Sequence, residues 1–565
     1  MEEGIMKTKF SRVLLVFILV CSLLAGCSKA TGETGSKTNG KTEDGVTTDK
    51  TEDLDTEEVK VPEYLNETGF PIVKEPITLT AMVLVSPAQP FDWNEILVWE
   101  EYEKMTGIHI EWEAYTNAEI VEKRNLALAS GEMPDLFFRT KMPDSDISKY
   151  GADGSFLELS QLIEQYAPNY KKITEIYPDV ASGIPMADGF IYALPNLTDS
   201  PSIEVTKKLF LNQKWLEATG NTTPTTTEEL YNILVDFRDK DPNGNGIADE
   251  IPLTADMLDD IILTIRGSFG LGNRGVGNGN WDVEEGTDTL RYFPASKEYK
   301  EMLAYLNQLY TEKLLDQEIF TNDDGTAVLS KNEQGLVGAF SFANVAGRAS
   351  SYANDFAGLE VALSGPSGER LFTSARGHIG SRGAFLISSE CKYPEAAMRW
   401  IDYFYSEEGS KMMFLGVEGV SYQQNEDGSY DFLDEIVNNI PEGSSFDQVV
   451  SKYVPYAGGA LPTIIYEEFF KGGETQPIPK VASANMAPFL PNNLWAPFSF
   501  TAEESERMVA LETDISSMVK QRTAEFVQGK VSLDEFDSYV EQLNKMGLEE
   551  LKAIYTEAYT RYLKQ

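Results

Sequence analysis

The stretch "ITLTAMVLV", residues 77–85, is a short run of β-branched and apolar residues. Runs of this composition and length are typical of β-strands. Two further runs of the same kind are "IHIEWEA", residues 108–114, and "GAFLISS", residues 383–389, and helical stretches separate the three. This alternation predicts an α/β fold in which helices cover mostly parallel sheets.

The part of the chain that can fold is long. Residues 61–565 exceed what one hydrophobic core usually organises, so we expect two to four domains. Helix starts are marked inside this region, because Thr226 with Glu229 and Thr501 with Glu504 have the spacing of capping boxes.

The amino terminus has the order of regions of a secretory signal. Basic residues come first, the apolar run "VLLVFILVCSLL" occupies residues 13–24, and two small residues precede Cys27. The run is shorter than the roughly 20 residues that cross a bilayer, so it predicts a signal peptide over residues 1–26. "LAGC" resembles the lipobox of bacterial lipoproteins, which implies that Cys27 carries lipid, palmitate included. An ordinary signal peptide with an incidental cysteine is the alternative.

Residues 27–60 contain no aromatic residue and only scattered apolar ones. Such a segment cannot bury enough surface to fold, so we predict a disordered tether with a reach of about 30 Å. Together with a lipid on Cys27, it would hold the folded part outside the cell, anchored to the outer face of the cytoplasmic membrane.

The composition excludes several classes of function. The formal net charge is −43, from 47 Lys and Arg against 90 Asp and Glu, and no basic stripe is present, which excludes nucleic-acid binding. Only Cys27 and Cys391 follow the signal, and Cys27 is assigned to lipid, so no intrachain disulfide is expected. The chain has only two histidines, His109 and His378, which argues against a His-rich zinc site or a conventional catalytic triad.

The stretch "DKDPNGNGIADEIPL", residues 239–253, alternates oxygen-bearing side chains with glycines. This pattern is typical of a calcium loop. One register begins at Asp239, turns at Gly244 and ends at Glu250; a shorter one begins at Asp241 and turns at Gly246. A simple Asn/Gly turn between two elements is the alternative.

Several stretches occur together in one order, and as a set they carry a family resemblance. In chain order they include "WEEYEKMTGIHIEW", "LALASGEMPDLFF", "DGFIYALP", "LFLNQKWLEATG", "DPNGNGIADEIP" and "YPEAAMRWIDYFYSEEG". The set is similar to the extracellular solute-binding lipoproteins, family 1, of carbohydrate ABC importers. Within that family it resembles the large type, which includes alginate-oligosaccharide-binding and LplA-like proteins.

The resemblance implies a two-lobed, type II periplasmic-binding-protein fold with the ligand in the cleft between the lobes. It assigns residues 61–200 and 380–430 to an N-terminal lobe and residues 201–379 and 431–565 to a C-terminal lobe. The chain would cross between lobes near residues 196–205, again near 377–385, and a third time after the "GVEG" of residues 416–419. The implied function is capture of an oligosaccharide by a monomer that delivers it to the membrane subunits of an ABC permease.

Related members hold a structural Ca²⁺ in a loop like this one, which favours the register that begins at Asp241. The ligands carried over are Asp241, Asn243, Asn245, the carbonyl of Ile247, Asp249 and Glu250.

Sugars stack their C–H faces on aromatic rings and need polar partners for their hydroxyl groups. Three tryptophans, Trp93, Trp281 and Trp495, lie in loops beside polar residues and are predicted ligand contacts. Tyr192 and Arg382 are added because each lies close to a predicted crossing. Each tryptophan has the alternative role of a loop anchor.

Other functions remain open from the sequence. A secreted, Ca²⁺-dependent polysaccharide-degrading enzyme would share the signal, the calcium loop and the aromatic content, and Glu467 with Glu468 would be its carboxylate pair. With 90 acidic residues, neighbouring carboxylates arise by chance, so no catalytic residue is assigned. An adhesin is disfavoured by the absence of sequence repeats.

Overall fold

A computed structural model describes residues 61–86, 89, 92–322, 326–441, 445–455 and 459–564. The predicted signal peptide, the tether and Cys27 lie outside the described residues. Within these ranges no helix is long and apolar enough to cross a membrane.

The described chain contains fourteen strands. In order they are β1 Ile77–Leu84, β2 Ile108–Tyr115, β3 Leu136–Phe138, β4 Leu194–Asp199, β5 Lys208–Asn212, β6 Ile251–Ala255, β7 Trp281–Val283, β8 Leu290–Tyr292, β9 Val337–Phe342, β10 Phe356–Gly358, β11 Ile379–Ile387, β12 Tyr422–Gln424, β13 Tyr430–Phe432 and β14 Ile464–Tyr466.

Twenty-one α-helices accompany the strands within the described ranges. They are α1 Leu97–Thr106, α2 Ile120–Ser130, α3 Asp144–Ala152, α4 Ser160–Tyr166, α5 Pro168–Ile176, α6 Pro178–Gly183, α7 Pro201–Glu204, α8 Gln213–Thr219, α9 Thr227–Asp239, α10 Leu258–Ile265, α11 Lys297–Thr311, α12 Thr326–Glu333, α13 Ala346–Ala349, α14 Pro394–Asp402, α15 Glu407–Leu415, α16 Asp434–Val437, α17 Phe446–Val450, α18 Pro477–Met486, α19 Ala502–Val527, α20 Phe536–Lys545 and α21 Leu548–Tyr562.

Two sheets organise the α/β fold. The first has six strands in the order β14-β4-β11-β3-β1-β2, and the second has four in the order β10-β5-β9-β6. Each is the centre of its own hydrophobic core. The first core contains a cluster of large aromatic rings in contact with one another, namely Trp93, Trp99, Trp112, Phe138, Trp400 and Phe404.

Local sequence explains how the elements begin and end. Helix α1 ends because Gly107 adopts φ 76°, and its amide donates to the carbonyl of Glu103, which is a left-handed helix cap. Thr501 and Glu504 form the predicted capping box at α19. At α9, Thr226 caps the helix as predicted, but the Glu229 carboxylate turns back to the amide and hydroxyl of Thr225 instead.

The sheets are mixed rather than mostly parallel. Strands β1, β2 and β3 run parallel, but β11 lies antiparallel between β3 and β4. The cause is the path of the chain. It leaves the first sheet at the carboxyl end of β4, builds the second sheet, and re-enters at the same edge, so β11 must run in the opposite direction.

Three segments connect the sheets. The first, residues 200–207, leads from β4 to β5; the second, residues 374–378, leads into β11; the third, residues 467–476, leads from β14 to α18. The first two are paired, because the Thr206 amide donates to the carbonyl of Ser374 at 2.8 Å. The expected positions were residues 196–205, residues 377–385 and an unspecified position after residue 419.

The boundary expected at residue 430 differs from the observed packing. Residues 431–470 contain β14, which pairs with β4 of the first sheet, and their buried apolar side chains belong to the first core. The long α19 and the two helices that follow it pack on the second core, as expected for the C-terminal lobe. The remaining lobe boundaries stay a prediction.

Candidate functional site

The directions of the strands define which sheet edges face the crossings. Strand β4 runs parallel to β1, β2 and β3, since β11 is antiparallel to both β3 and β4. The carboxyl ends of these four strands therefore lie at the edge where the chain departs for the second sheet. In the second sheet the amino end of β5 shares an edge with the carboxyl ends of β6 and β9. Ligands of α/β proteins bind at such edges.

We call the residues that follow β2 and β3 the first edge: Thr116, Asn117, and Arg139 to Met142. We call the residues at the corresponding end of the second sheet the second edge: Lys207, Asp256 to Asp260, Phe342 to Asn344, and Arg348. In a two-lobed α/β fold the ligand cleft is expected between these two edges.

Arg139 is the most unusual residue of the first edge. Its side chain is 4 % exposed, and its Nε and Nη1 atoms have no hydrogen-bond partner. Burial lowers the pKa of Arg139 to about 10. The backbone holds φ values of 56° at Arg139 and 54° at Lys141, a left-handed conformation that side-chain-bearing residues rarely adopt. Lys141 donates a hydrogen bond to the side-chain oxygen of Asn117.

The second edge pairs its cations with acids around one aromatic ring. Lys207 Nζ lies 3.0 Å from an Asp260 carboxylate oxygen, and Arg348 donates to both carboxylate oxygens of Asp256. Both cations also contact the Phe342 ring, at 4.6 Å for Lys207 and 3.8 Å for Arg348 from the ring centroid. Such cation–π contacts add to the ion pairs.

Lys208 and Glu467 tie the crossings together. The Lys208 ammonium, 1 % exposed, donates to the carbonyls of Ser202, Val205 and Ala343 at 2.7 to 3.0 Å. Burial lowers the pKa of Lys208 to about 8. One carboxylate oxygen of Glu467 accepts from the Ser200 hydroxyl and from the Ser202 amide and hydroxyl. Glu467 thus has a structural role where the chain passes between sheets.

His378 lies in the second crossing among three acids. Its Nδ1 is 2.8 Å from Asp179, while Asp199 and Glu204 offer oxygens within 4.8 Å of its ring. Burial works to lower the pKa of His378, but the hydrogen bond to Asp179 and the charges of the three acids outweigh it and raise the pKa. No local sequence pattern predicts that His378 lies beside these acids.

The structure places the three predicted tryptophans inside the protein. Trp93 is 1 % exposed and packs on Trp99 and Trp112. Trp281 and Trp495 are each 2 % exposed, and each packs against aromatic residues of helix α21. In this arrangement all three serve as packing anchors. A role as ligand contacts stays a prediction for them.

Tyr192 and Arg382 are also engaged by the protein. The Tyr192 hydroxyl donates to Asp188 at 2.9 Å, and burial followed by that bond raises the pKa of Tyr192 to about 12. Arg382 forms an ion pair with Asp144 and donates to the carbonyls of Gly183 and Pro497. Arg382 is 4 % exposed and lies beside the second crossing. Its contact with a ligand stays a prediction.

The loop after α9 has the form of a cation-binding turn. The Asn245 and Gly246 amides donate to the two carboxylate oxygens of Asp241, and Gly244 and Gly246 take φ values of 71° and 75°. Asn245 also donates to Asp249, at 3.0 Å. The Ile247 side chain is 61 % exposed, which leaves only its carbonyl available to an ion.

Glu250 has a side-chain oxygen that a bound cation could contact. Its Oε1 atom is buried and has no hydrogen-bond partner. Burial, joined by the charges of Asp249 and Asp241, raises the pKa of Glu250. A loop with one unpartnered carboxylate oxygen and two further carboxylates supplies the kind of oxygen donors that Ca²⁺ binds, so the residue types present fit Ca²⁺.

Sequence reasoning missed Arg139, Lys141 and the second-edge ion pairs. A usable signal was present for Arg139, because "FFRTK" places two cations immediately after a buried strand. The ion pairs join residues 92 positions apart in the case of Arg348 and Asp256, and no local pattern indicates them.

Two lobes, three crossings and a polar cleft define a two-lobed ligand-binding protein of α/β class. The comparisons with known proteins agree. The chain belongs to the bacterial extracellular solute-binding protein family, whose model matches residues 92–411. The chain is 28 % identical over 522 residues to the fructooligosaccharide ABC transporter substrate-binding protein FusA of Streptococcus pneumoniae, covering 89 % of this chain and 93 % of FusA.

Other relatives show the same pattern. The polygalacturonan/rhamnogalacturonan-binding protein YtcQ of Bacillus subtilis is 24 % identical over 81 % of this chain and 87 % of its own. The structure of FusA with kestose superposes with a TM-score of 0.68 at 25 % identity, over 86 % of this chain and 100 % of FusA, and an EF-hand mutant of FusA gives 0.67. A human-milk-oligosaccharide-binding protein of Bifidobacterium longum infantis gives 0.73 at 23 % identity, over 86 % of this chain and 99 % of its own.

The family and these relatives are binding proteins rather than enzymes. They give no support to the alternative of a polysaccharide-degrading enzyme. In the carboxylate pair considered for such an enzyme, Glu467 already has structural partners, since it binds Ser200, Ser202 and Lys480.

Proposed function

We propose that this protein captures an oligosaccharide outside the cytoplasmic membrane and delivers it, chemically unchanged, to the membrane subunits of an ABC importer. The observation that carries the proposal is the similarity to FusA over 89 % of this chain. The geometry supports it, because two separately folded sheets joined by three short segments can close on a ligand between their edges.

Carbohydrate binding and carbohydrate cleavage are separated by one experiment. Purified protein is titrated calorimetrically with neutral and acidic oligosaccharides, and the sugars are recovered and analysed by mass spectrometry. We expect heat from at least one sugar class, with dissociation constants of about 1 μM or tighter, and recovery of every sugar at its original length. Shortened products would establish the enzyme alternative, and a complete lack of binding would refute the proposed function.

We further propose that the mature protein is a lipid-anchored monomer, with Cys27 as the lipidated residue. The order of the amino-terminal regions supports this, and so does membership of an extracellular family. A Cys27→Ser variant should move from the membrane fraction to the medium, while wild type incorporates labelled palmitate and the variant does not. Equal membrane association of both proteins would refute the anchor.

We propose that the 241–250 loop holds a structural Ca²⁺ through Asp241, Asn243, Asn245, the Ile247 carbonyl, Asp249 and Glu250. A fit with the register that begins at Asp241 is supported by Arg238, which already binds both carboxylate oxygens of Asp239. A relative adds support, because one solved structure of FusA is that of an EF-hand mutant. When bound, the ion would neutralise the three carboxylates and fix the turn between α9 and β6.

Chelation tests the calcium proposal. If the site binds Ca²⁺ 100-fold more tightly than the ambient concentration, removing the ion costs about 2.7 kcal/mol of unfolding free energy. Thermal melts with and without chelator measure this, with metal content checked by elemental analysis. Glu250→Gln should abolish the difference, whereas the matched variant Asp239→Asn should preserve it. Loss of the difference in both variants would support the register that begins at Asp239, because both registers use Glu250. A difference that survives in Glu250→Gln would refute both registers.

A further inference from the structure

We infer that the first edge binds a negatively charged group of the ligand, a carboxylate on an acidic oligosaccharide, through Arg139 and Lys141. The inference rests on the proposed function and names the chemical class of its ligand. Four observations carry it: the missing partners of Arg139, the backbone at this turn, the charges around it, and the contrast with the second edge.

Arg139 has bonding capacity that the protein leaves unused. Its Nε and Nη1 atoms carry N–H groups that are buried and unpartnered. Buried arginines are otherwise paired or hydrogen-bonded, because a guanidinium withdrawn from water without acceptors is costly. Arg266 shows the usual solution in the same chain: it is equally buried, at 4 % exposure, but donates to the Thr373 hydroxyl and to the carbonyls of Gly275 and Thr373.

The backbone supports a functional reason for this cost. Arg139 and Lys141 hold φ values of 56° and 54° within three residues, in a conformation that glycine or asparagine would adopt more easily. Strained turns that persist with large side chains are found mainly at ligand sites. The turn directly follows β3, so it lies at the edge that faces the cleft.

The charges around the turn select the sign of the group. Among the described residues, no acidic side chain lies within ion-pair distance of Arg139 or Lys141, and the nearby Asp144 is engaged by Arg382. At the second edge, by contrast, Asp260 and Asp256 already neutralise Lys207 and Arg348. At the first edge the charge without an ion-pair partner among the described residues is therefore positive, although the whole chain carries −43.

A neutral sugar would satisfy the hydrogen-bond donors of Arg139 but not its charge. Its hydroxyl groups accept hydrogen bonds from Arg139 but leave the buried charge uncompensated. A carboxylate supplies the acceptors and the opposite charge together, and such charge-assisted bonds are the stronger kind. The structure therefore favours a uronate-type sugar over a neutral one.

The test compares two ligands on wild type and on Arg139→Met. Oligogalacturonate represents the acidic class, and fructooligosaccharide of matched length represents the neutral one. We expect wild type to bind the acidic ligand at least 10-fold more tightly than the neutral one, and Arg139→Met to lose about 100-fold or more of the acidic affinity. Arg139→Lys, which keeps the charge, should retain an intermediate affinity and covers the case in which the first variant does not fold.

A stability measurement separates a ligand-binding role from a structural one. Since Arg139 is uncompensated, Arg139→Met should melt at the same temperature as ligand-free wild type or higher. The matched variant Arg266→Met removes an arginine of equal burial that makes three hydrogen bonds, and it should melt at a lower temperature. If Arg139→Met melts as low as Arg266→Met, Arg139 is a structural residue and the inference fails.

The outcomes also separate the inference from the proposed function. Binding of the acidic ligand that depends on Arg139 supports both. Binding of the neutral ligand alone overturns the inference and leaves oligosaccharide capture standing. Absence of binding in both arms overturns both.

Discussion

The first and second edges differ in how their cations are partnered. On the second edge, Lys207 and Arg348 are each paired with an acid, and both contact the Phe342 ring. On the first edge, Arg139 is buried without a partner, and Lys141 has only an amide oxygen. A paired edge is stable without a ligand, whereas an unpaired edge gains stability when a ligand arrives.

This difference assigns different roles to the two lobes. Both cations of the second edge are already paired with acids, so this edge contributes shape and an aromatic flank. The first edge has unpartnered N–H donors and an unpaired charge at Arg139, so we infer that it discriminates between ligands. The pre-organised second edge increases affinity because little has to be ordered on binding. The first edge increases affinity because its unused donors form new bonds to the ligand.

The largest expected effect comes from unpairing the second edge. Arg348→Met leaves the Asp256 carboxylate, 12 % exposed, without its partner. We expect a loss of about 2 to 3 kcal/mol of unfolding free energy, because a largely buried charge stripped of its counter-ion is destabilising. Urea denaturation measures the loss.

A double-mutant cycle with Asp256→Asn sharpens this result. The double variant should lose less than the sum of the two single variants, by about 1 to 2 kcal/mol, since the orphaned charge is gone. Strict additivity would mean that the pair contributes nothing, and the contrast between the edges would then disappear.

A smaller effect is expected from pH acting on Lys208. Its pKa is about 8 in the folded protein and about 10.4 in an unfolded chain. Between those values the unfolded chain holds more protons, so the unfolding free energy rises with pH. The stability difference between wild type and Lys208→Met should grow in favour of wild type by about 2 kcal/mol from pH 7 to pH 10.

Because Lys208→Met has all the other titratable groups of wild type, the difference between the two proteins reports the titration of Lys208 alone. Lys208 differs from Arg139 in having three carbonyl acceptors. A difference that stays flat over this pH range would show that the acceptors keep the Lys208 ammonium at its ordinary pKa.

The smallest effect comes from the two lysines at opposite edges. Lys207→Met strands Asp260, which is 4 % exposed, and should cost about 1 kcal/mol or more. Lys141 is exposed, so Lys141→Met should stay within about 0.5 kcal/mol of wild type. Calorimetric melts of the two ligand-free variants check this order, and equal losses would contradict it.

The strands that carry local signals were predictable. The runs at 77–85, 108–114 and 383–389 fall on β1, β2 and β11, and the box at Thr501 caps α19 as expected. Strand β14 was not predictable, because it is three residues long and its place in the first sheet depends on pairing with β4, far away in sequence. For the same reason the lobe assignment of residues 431–470 differed from the structure.

The site was less predictable than the fold. Polar neighbours suggested that Trp93, Trp281 and Trp495 face a ligand, and this stays a prediction. What polar neighbours did not indicate is that each indole is buried against aromatic rings, as its large apolar surface favours. The proposed calcium ligands differ from the cleft residues, because they all lie within ten consecutive residues and can be recognised as a sequence motif. Cleft residues converge from distant segments, which one sequence does not reveal.

The three crossings have a consequence for how the molecule is assembled and engineered. All four strands of the second sheet lie between residues 208 and 358, whereas the first sheet needs strands from residue 77 to residue 466. As the chain emerges during export, the four-stranded sheet can be completed while the six-stranded one still waits for two of its members. Neither lobe can be cut out as a continuous fragment, so a chimera that exchanges one lobe requires a splice at every crossing.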